Sequence, residues 1–186
     1  MASKWVPKLI LTEEQWEAFV EEAKKLDDYW ASLLLFIAYT GCRVSEAATL
    51  LWERVNFETR EALIWRSKRG KSRYVPLHPI VIKYLNKIKP KEPRGWVWPS
   101  RKPKRTKRGH VSTRAIEYKI KEIGERIGVR NLHPHALRHT VASLMLAKGV
   151  DPPTVRDILG HSSLQVTDIY SHAYPEARKR AIMVLK

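Results

Sequence analysis

The chain has 186 residues, and 35 Lys and Arg against 19 Asp and Glu leave a formal charge of +16. That length suits one domain with a real core; a hydrophobic content of 44% with seven Trp excludes a disordered chain, and a lone cysteine, Cys42, excludes a disulfide scaffold. The longest apolar stretch, 33–38, is far short of the ~20 residues that span a bilayer, no signal peptide opens the chain, and a cytoplasmic protein with a polyanionic partner, most simply nucleic acid, is expected.

Residues 1–11 read as a lead-in. Thr12-Glu13-Glu14-Gln15 has the form of a capping box and opens a helix to about residue 26. A second, more apolar helix covers about 28–39 and stops at Gly41. A short helix is expected over about 44–51, then three strands at 55–57, 62–66 and 73–77. They are joined by a turn at 58–60 and a basic, glycine-containing turn at 67–72. Residues 79–88 read as helix, 90–93 as loop, 96–98 as a short extended piece and 101–110 as the most basic loop of the chain. Ile116, Ile120, Ile123 and Ile127 recur at helical spacing in a helix over about 112–127. Another helix runs from about 134 to 148 before Gly149, and a short one opened by Asp151-Pro152-Pro153 ends at Gly160. Segments 164–170 and 175–185 read as the last two helices. The fold class is therefore α+β, mainly helical, with a small three-stranded antiparallel sheet.

Four clusters carry chemistry. In Thr40-Gly41-Cys42-Arg43-Val44-Ser45-Glu46, Arg43 and Glu46 lie three apart and can meet on the first turn of a helix; an ordinary helix-start ion pair accounts for them equally well. In His135-Ala136-Leu137-Arg138-His139, His135 and Arg138 can face one site, and an imidazole with a guanidinium suits a phosphate; a solvated basic face is the plainer reading. In Leu159-Gly160-His161-Ser162-Ser163, the helix-ending glycine places His161 in a turn, nine residues before Tyr170. The fourth is the basic turn Ser67-Lys68-Arg69-Gly70-Lys71-Ser72-Arg73. Each is ambiguous alone.

Together and in this order, Thr-Gly-Cys-Arg-Val-Ser-Glu, Ser-Lys-Arg-Gly-Lys-Ser-Arg-Tyr-Val-Pro-Leu, His-Ala-Leu-Arg-His, Leu-Gly-His-Ser and Ile-Tyr-Ser-His resemble the catalytic domain of tyrosine recombinases, the lambda-type or Xer-type integrases. The resemblance spans about 11–170 and implies the recombinase catalytic fold. It implies an active site of Arg43, Lys68, His135, Arg138, His161 and Tyr170, with Glu46 supporting the first arginine. It also implies a site-specific recombinase that cuts and rejoins double-stranded DNA through a 3′-phosphotyrosyl intermediate, without metal, ATP or any other cofactor, at the nucleoid. Tyr170 is the implied nucleophile, Arg43 and Arg138 the clamp on the non-bridging oxygens, and His161 a hydrogen-bond donor to the same phosphate. His135 is the implied general acid/base and Lys68 the acid for the leaving 5′-oxygen. Relaxation of supercoils, as by a type IB topoisomerase, is an implied side reaction.

Arg69, Lys71, Arg73, Arg101, Lys102, Lys104, Arg105, Lys107 and Arg108 are expected to hold the duplex through its phosphates. The family's usual N-terminal core-binding domain has no room before Thr12, so 1–186 is expected to be a single catalytic domain. Its 171–186 tail helix is expected to dock on a neighbour in a DNA-bound tetramer, and the free chain to be a monomer. Two other readings compete. One is a metal-dependent HUH-type nicking enzyme, because His133-Pro134-His135 imitates its histidine motif and Tyr170 with Tyr174 its tyrosine pair. The other is a DNA-binding module without chemistry. The scarcity of thermolabile amides, only Gln15, Gln165, Asn56, Asn86 and Asn131, leans towards a thermophilic source.

Overall fold

The computed structural model describes residues 9–65, 72–102 and 108–160. Within them run α1 (Glu13–Lys24), α2 (Asp28–Thr40), α3 (Val44–Ala48), a 3-10 turn (Trp52–Arg54), β1 (Val55–Asn56), β2 (Glu61–Ile64), β3 (Arg73–Pro76), α4 (Pro79–Ile88), α5 (Thr113–Arg126), α6 (Pro134–Ala147) and α7 (Pro152–Leu159). The expected helices at 164–170 and 175–185 lie outside the described residues, as do the turn segment 66–71 and the loop segment 103–107.

Helix α2 is the axis of the core. It is apolar on nearly every face, the composition of a helix surrounded by protein, and Leu33 through Ala38 are wholly buried. Around it pack Phe19, Val20 and Ala23 of α1, Val81 and Leu85 of α4, and Ala136 and Leu137 of α6, while Ile116, Ile120 and Ile123 of α5 join the same core. Burying each such Leu, Ile or Phe side chain is worth about 2 kcal/mol. Trp98 meets Phe36 edge-on at 5.3 Å between centroids and donates Nε1–H to Ser32 Oγ at 3.0 Å. The capping box is present: Gln15 N donates to Thr12 Oγ1 at 3.2 Å, and Thr12 N to Gln15 Oε1 at 3.0 Å. The lead-in is tied down at its end, because Leu11 is buried and its N–H donates to Thr140 Oγ1 of α6 at 2.9 Å.

The sheet has the order β1-β2-β3, antiparallel throughout, with Val55 opposite Ala62 and Ile64 opposite Arg73. Ala62, Ile64 and Val75 face the core, and Trp65 and Tyr74 are exposed. The helix expected over 44–51 is shorter than its pattern suggested. It ends at Ala48, where Thr49 Oγ1 bonds back to Ser45 O at 2.7 Å. Leu51 then bridges Trp96, and a 3-10 turn follows. The extended piece at 96–98 is held by that bridge and by a second between Pro99 and His110.

Helix α7 rests on a smaller cluster of its own, in which Val155 and Leu159 meet Val141, Ala142 and Leu146 of α6. Its close approach depends on Gly41, which ends α2 in the left-handed conformation at φ +60°. A Cβ at Gly41 would lie 2.5 Å from Leu159 Cδ2 and 3.3 Å from Val141.

Candidate active site

Arg43 caps α3 directly after the Gly41 turn. Its backbone N–H donates to Glu46 Oε2 at 2.9 Å, and its Nη1 to Glu46 Oε1 at 3.1 Å. The spacing of three thus produces the contact the sequence suggested, with Glu46 buried and the Arg43 side chain 28% exposed. Arg138 comes from the first half of α6 and is almost wholly buried. Its Nη1 donates to Gly41 O and its Nη2 to Leu159 O, both at 2.7 Å. Two backbone carbonyls from the ends of α2 and α7 therefore fix the guanidinium. Burial first, and then the neighbouring Arg43 and Arg73 charges, push the Arg138 pKa down to about 10, against the pull of Glu46. It keeps its charge at neutral pH.

His135 stands exposed one turn before Arg138 on the same helix. Arg43, His135 and Arg138 line one cavity of about 720 Å³, together with Arg114, Tyr118 and Lys121 of α5. A second cavity of about 670 Å³ lies between Trp30, Lys102 and Lys119 and shares Arg114 and Tyr118 with the first. The α5 residues were missed in the sequence, although 114, 118 and 121 recur at helical spacing on the face opposite the isoleucines.

Arg73 departs from the sequence expectation. It was counted among the duplex-contacting cations, yet its side chain turns inward and is 9% exposed. Residues directly opposite in an antiparallel pair point to the same face, so Arg73 follows its partner Ile64 towards the core. There its Nη1 and Nη2 bond Glu46 Oε1 and Oε2 at 3.1 and 3.0 Å, and its Nε bonds Ile158 O at 2.7 Å. Burial would raise the Glu46 carboxyl; the Arg73 hydrogen bonds, the Arg43 backbone N–H and the two guanidinium charges outweigh it and bring the pKa down to about 2. Arg101 forms a fork with Asp27 at 2.8 and 2.9 Å and lies over the Tyr29 ring at 4.3 Å, while remaining half exposed. Lys102 and Arg108 are exposed. Lys68, Arg69, Lys71, Lys104, Arg105, Lys107, His161 and Tyr170 lie outside the described residues.

Among the described residues no group of three or more His, Cys, Asp and Glu could hold a metal ion. The Cys42 thiol is buried and pushed up to about 12, which keeps it protonated and inert. His133 caps α6 by accepting from Ala136 N at 3.2 Å, and its ring is 6.5 Å from that of His135. The two histidines thus sit at a helix start, not on the central strand that the HUH motif needs. No helix among the described residues is long and apolar enough to cross a membrane.

A family model described as the phage integrase family matches residues 10–177. The tyrosine recombinase XerA of Pyrococcus horikoshii is 33% identical over 183 residues, which are 96% of this chain and 61% of that one. The tyrosine recombinase XerD of Bifidobacterium longum is 36% identical over 157 residues, 78% of this chain and 50% of the relative. Among solved structures, a crystal structure of XerA recombinase shares 26% identity at a TM-score of 0.78, over 97% of this chain and 66% of that one. The XerH site-specific recombinase, in a pre-cleavage complex with its difH substrate, shares 26% identity at a TM-score of 0.73, over 90% of this chain and 51% of the other. The chain spans between half and two thirds of the length of these relatives.

Proposed function

Because the chain belongs to the phage integrase family, we propose that it is the catalytic domain of a tyrosine-type site-specific DNA recombinase, which cuts and rejoins one duplex strand at a time through a 3′-phosphotyrosyl intermediate. The observation that carries this reading is the pair of guanidiniums, Arg43 and Arg138, that line one cavity beside the exposed His135. Two fixed positive charges in one cleft suit a phosphodiester, whose non-bridging oxygens gain charge as it is attacked. The XerA tyrosine recombinase relative and the DNA-bound XerH complex point the same way.

The chemistry follows from the residues. Tyr170 Oη attacks the scissile phosphorus and its proton passes to His135 as general base. The phosphorus–O5′ bond breaks, and Lys68 gives a proton to the departing oxygen. Arg43, Arg138 and His161 hold the two non-bridging oxygens throughout. The covalent ester stores the bond, so a 5′-hydroxyl can reverse the step without ATP. No step requires a metal, because the arginines and Lys68 bring the positive charge one would supply. In this reading the chain acts as a single catalytic domain on duplex DNA at the nucleoid, with the 171–186 tail linking protomers in a DNA-bound tetramer. The exposed Lys102 and Arg108 carry phosphate contacts.

The test is a covalent-trapping gel. The probe is a pool of duplexes randomised over a central segment, labelled on both sides of that segment and nicked just downstream, so that a short cleaved fragment diffuses away and an adduct to either side is seen. A labelled adduct that persists in EDTA and vanishes in Tyr170→Phe is the expected result. An adduct that survives Tyr170→Phe, or one lost in EDTA and restored by a divalent cation, would overturn the reading in favour of the nicking enzyme.

A further inference from the structure

Two arginines, Arg43 and Arg73, converge on one buried carboxylate. Glu46 Oε1 accepts from Arg43 Nη1 and Arg73 Nη1, each at 3.1 Å. Glu46 Oε2 accepts from the Arg43 backbone N–H at 2.9 Å and from Arg73 Nη2 at 3.0 Å. Arg138 does not need Glu46 to be held, since its Nη atoms bond Gly41 O and Leu159 O. The adjacent carbonyl, Ile158 O, is taken by Arg73 Nε at 2.7 Å. The hydrogen bonds therefore form one chain from Arg43 through Glu46 and Arg73 to the end of α7, and from there to Arg138.

The charge balance gives this chain a purpose. A carboxylate paired with Arg43 alone would cancel the charge that Arg43 offers to an incoming phosphate. Here Arg73 engages both carboxylate oxygens in the fork geometry that makes an Arg–carboxylate pair strong and directional. Arg43 is left with one side-chain bond to Glu46 and a side chain 28% exposed, against 9% for Arg73. Arg73 is thus the neutralising partner, and Arg43 keeps its charge for the cavity.

We propose that Arg73 is a positioning residue: it neutralises Glu46 and ties the α3 and α7 anchors together, so that Arg43 and Arg138 meet the scissile phosphate as a charged, correctly spaced pair. The inference rests on the recombinase reading given above. It differs from two simpler roles. A direct duplex contact is incompatible with the inward side chain, and a mere packing staple has no preference for the charge of the substrate.

That preference is the test. A methylphosphonate at the scissile position replaces one non-bridging oxygen by a neutral methyl group and lowers the demand for an arginine clamp. Single-turnover cleavage is measured on ordinary and methylphosphonate duplexes for the parent, Arg73→Met, Arg73→Lys and, as reference, Arg43→Ala. Arg73→Met should cleave the ordinary duplex about 100-fold more slowly, the scale of losing one oriented donor to a transition-state oxyanion. On the methylphosphonate it should come within about 3-fold of the parent, as Arg43→Ala should, because the lost interaction is one made with that oxygen's charge. Arg73→Lys keeps the charge but not the fork, and should fall between parent and Met variant on the ordinary duplex; it also serves if the Met variant does not melt cooperatively. An equal loss on both substrates, or no loss on either, overturns the proposal. Tyr170→Phe in the same assay separates the two layers: an adduct from that variant defeats the recombinase reading, whereas its absence alongside full cleavage by the Arg73 variants defeats the positioning role alone.

Discussion

Replacing Glu46 by Gln removes the one carboxylate that Arg43 and Arg73 share while keeping its shape. The folded carboxyl sits at about 2 against an ordinary 4.5, and its side chain is 5% exposed, so solvent screens the interaction little. A lowered folded pKa means that the ionised form is stabilised by folding. That stability is fully present above 4.5 and is lost as the pH falls from there towards 2. At about 1.4 kcal/mol per tenfold change in proton affinity, the difference amounts to about 3 kcal/mol at pH 7. It should shrink to about 1.5 kcal/mol at pH 3, where the folded carboxyl is still mostly ionised and the unfolded one mostly protonated. The assay is urea unfolding followed by tryptophan fluorescence for parent and Glu46→Gln, at several pH values from 7 to 2.5. Other carboxylates titrate in both proteins and cancel in the comparison. The unpaired Arg73 in the variant adds an offset that does not vary with pH in this range. The stability gap between the two proteins should therefore narrow steeply below pH 4.5. A gap that stays constant from pH 5 to 2.5 would refute the ionised, doubly held Glu46 from which the argument proceeds.

Gly41→Ala should lower stability by about 2 kcal/mol, from a left-handed backbone that a Cβ opposes and from overpacking; thermal melting should show a fall of several degrees, with cleavage reduced further because Gly41 O holds Arg138. Lys68→Ala should cleave ordinary DNA very slowly and recover on a duplex whose bridging 5′-oxygen is replaced by sulfur, since a thiolate leaves without a proton. Arg43→Ala and Arg138→Ala should not recover on that substrate. Recovery by Lys71→Ala and not by Lys68→Ala would reassign the acid.

The helices were legible because their punctuation is local. Pro79, Pro134 and Pro152 sit in the first turns of α4, α6 and α7, and Gly41 and Gly160 end α2 and α7 in the left-handed conformation. The premature end of α3 was not legible, because Leu51 is drawn out of the helix by a bridge to Trp96, far along the chain. Of the candidate site, the structure brings Arg43, His135 and Arg138 to one cavity, and the sequence suggested that grouping only as a set. Each motif had an ordinary explanation, and their order made the family apparent. The inward turn of Arg73 lay hidden behind composition: Ser-Lys-Arg-Gly-Lys-Ser-Arg reads as uniformly basic. The alternation Arg73, Val75, Leu77 held the missing signal, since a period of two puts the arginine on the buried face. Its partner Ile158 O could not have been found at all, because a backbone carbonyl 85 residues away has no signature in side-chain sequence.

Helix α7 brings these threads together. Its apolar support is divided: Val155 and Leu159 rest on a small cluster on one face of α6, and Ile158 packs against the main core around α2. At its C-terminal end, Ile158 O goes to Arg73 and Leu159 O to Arg138. Cations at a helix C-terminus are favoured by the peptide dipoles and complete the bonding of carbonyls that the helix leaves open. Gly160 then ends the helix at φ +68°, where a Cβ would lie 2.7 Å from Arg73 Nη1. His161 follows at once in the sequence. The placement of the C-terminal end of α7 is therefore set by the same guanidiniums that define the charge of the cavity, and only in part by hydrophobic packing. A variant that disturbs those charges should loosen the end of α7 while the α2 core stays intact. That ordering, site before core, is what a catalytic apparatus built on a weakly supported helix requires.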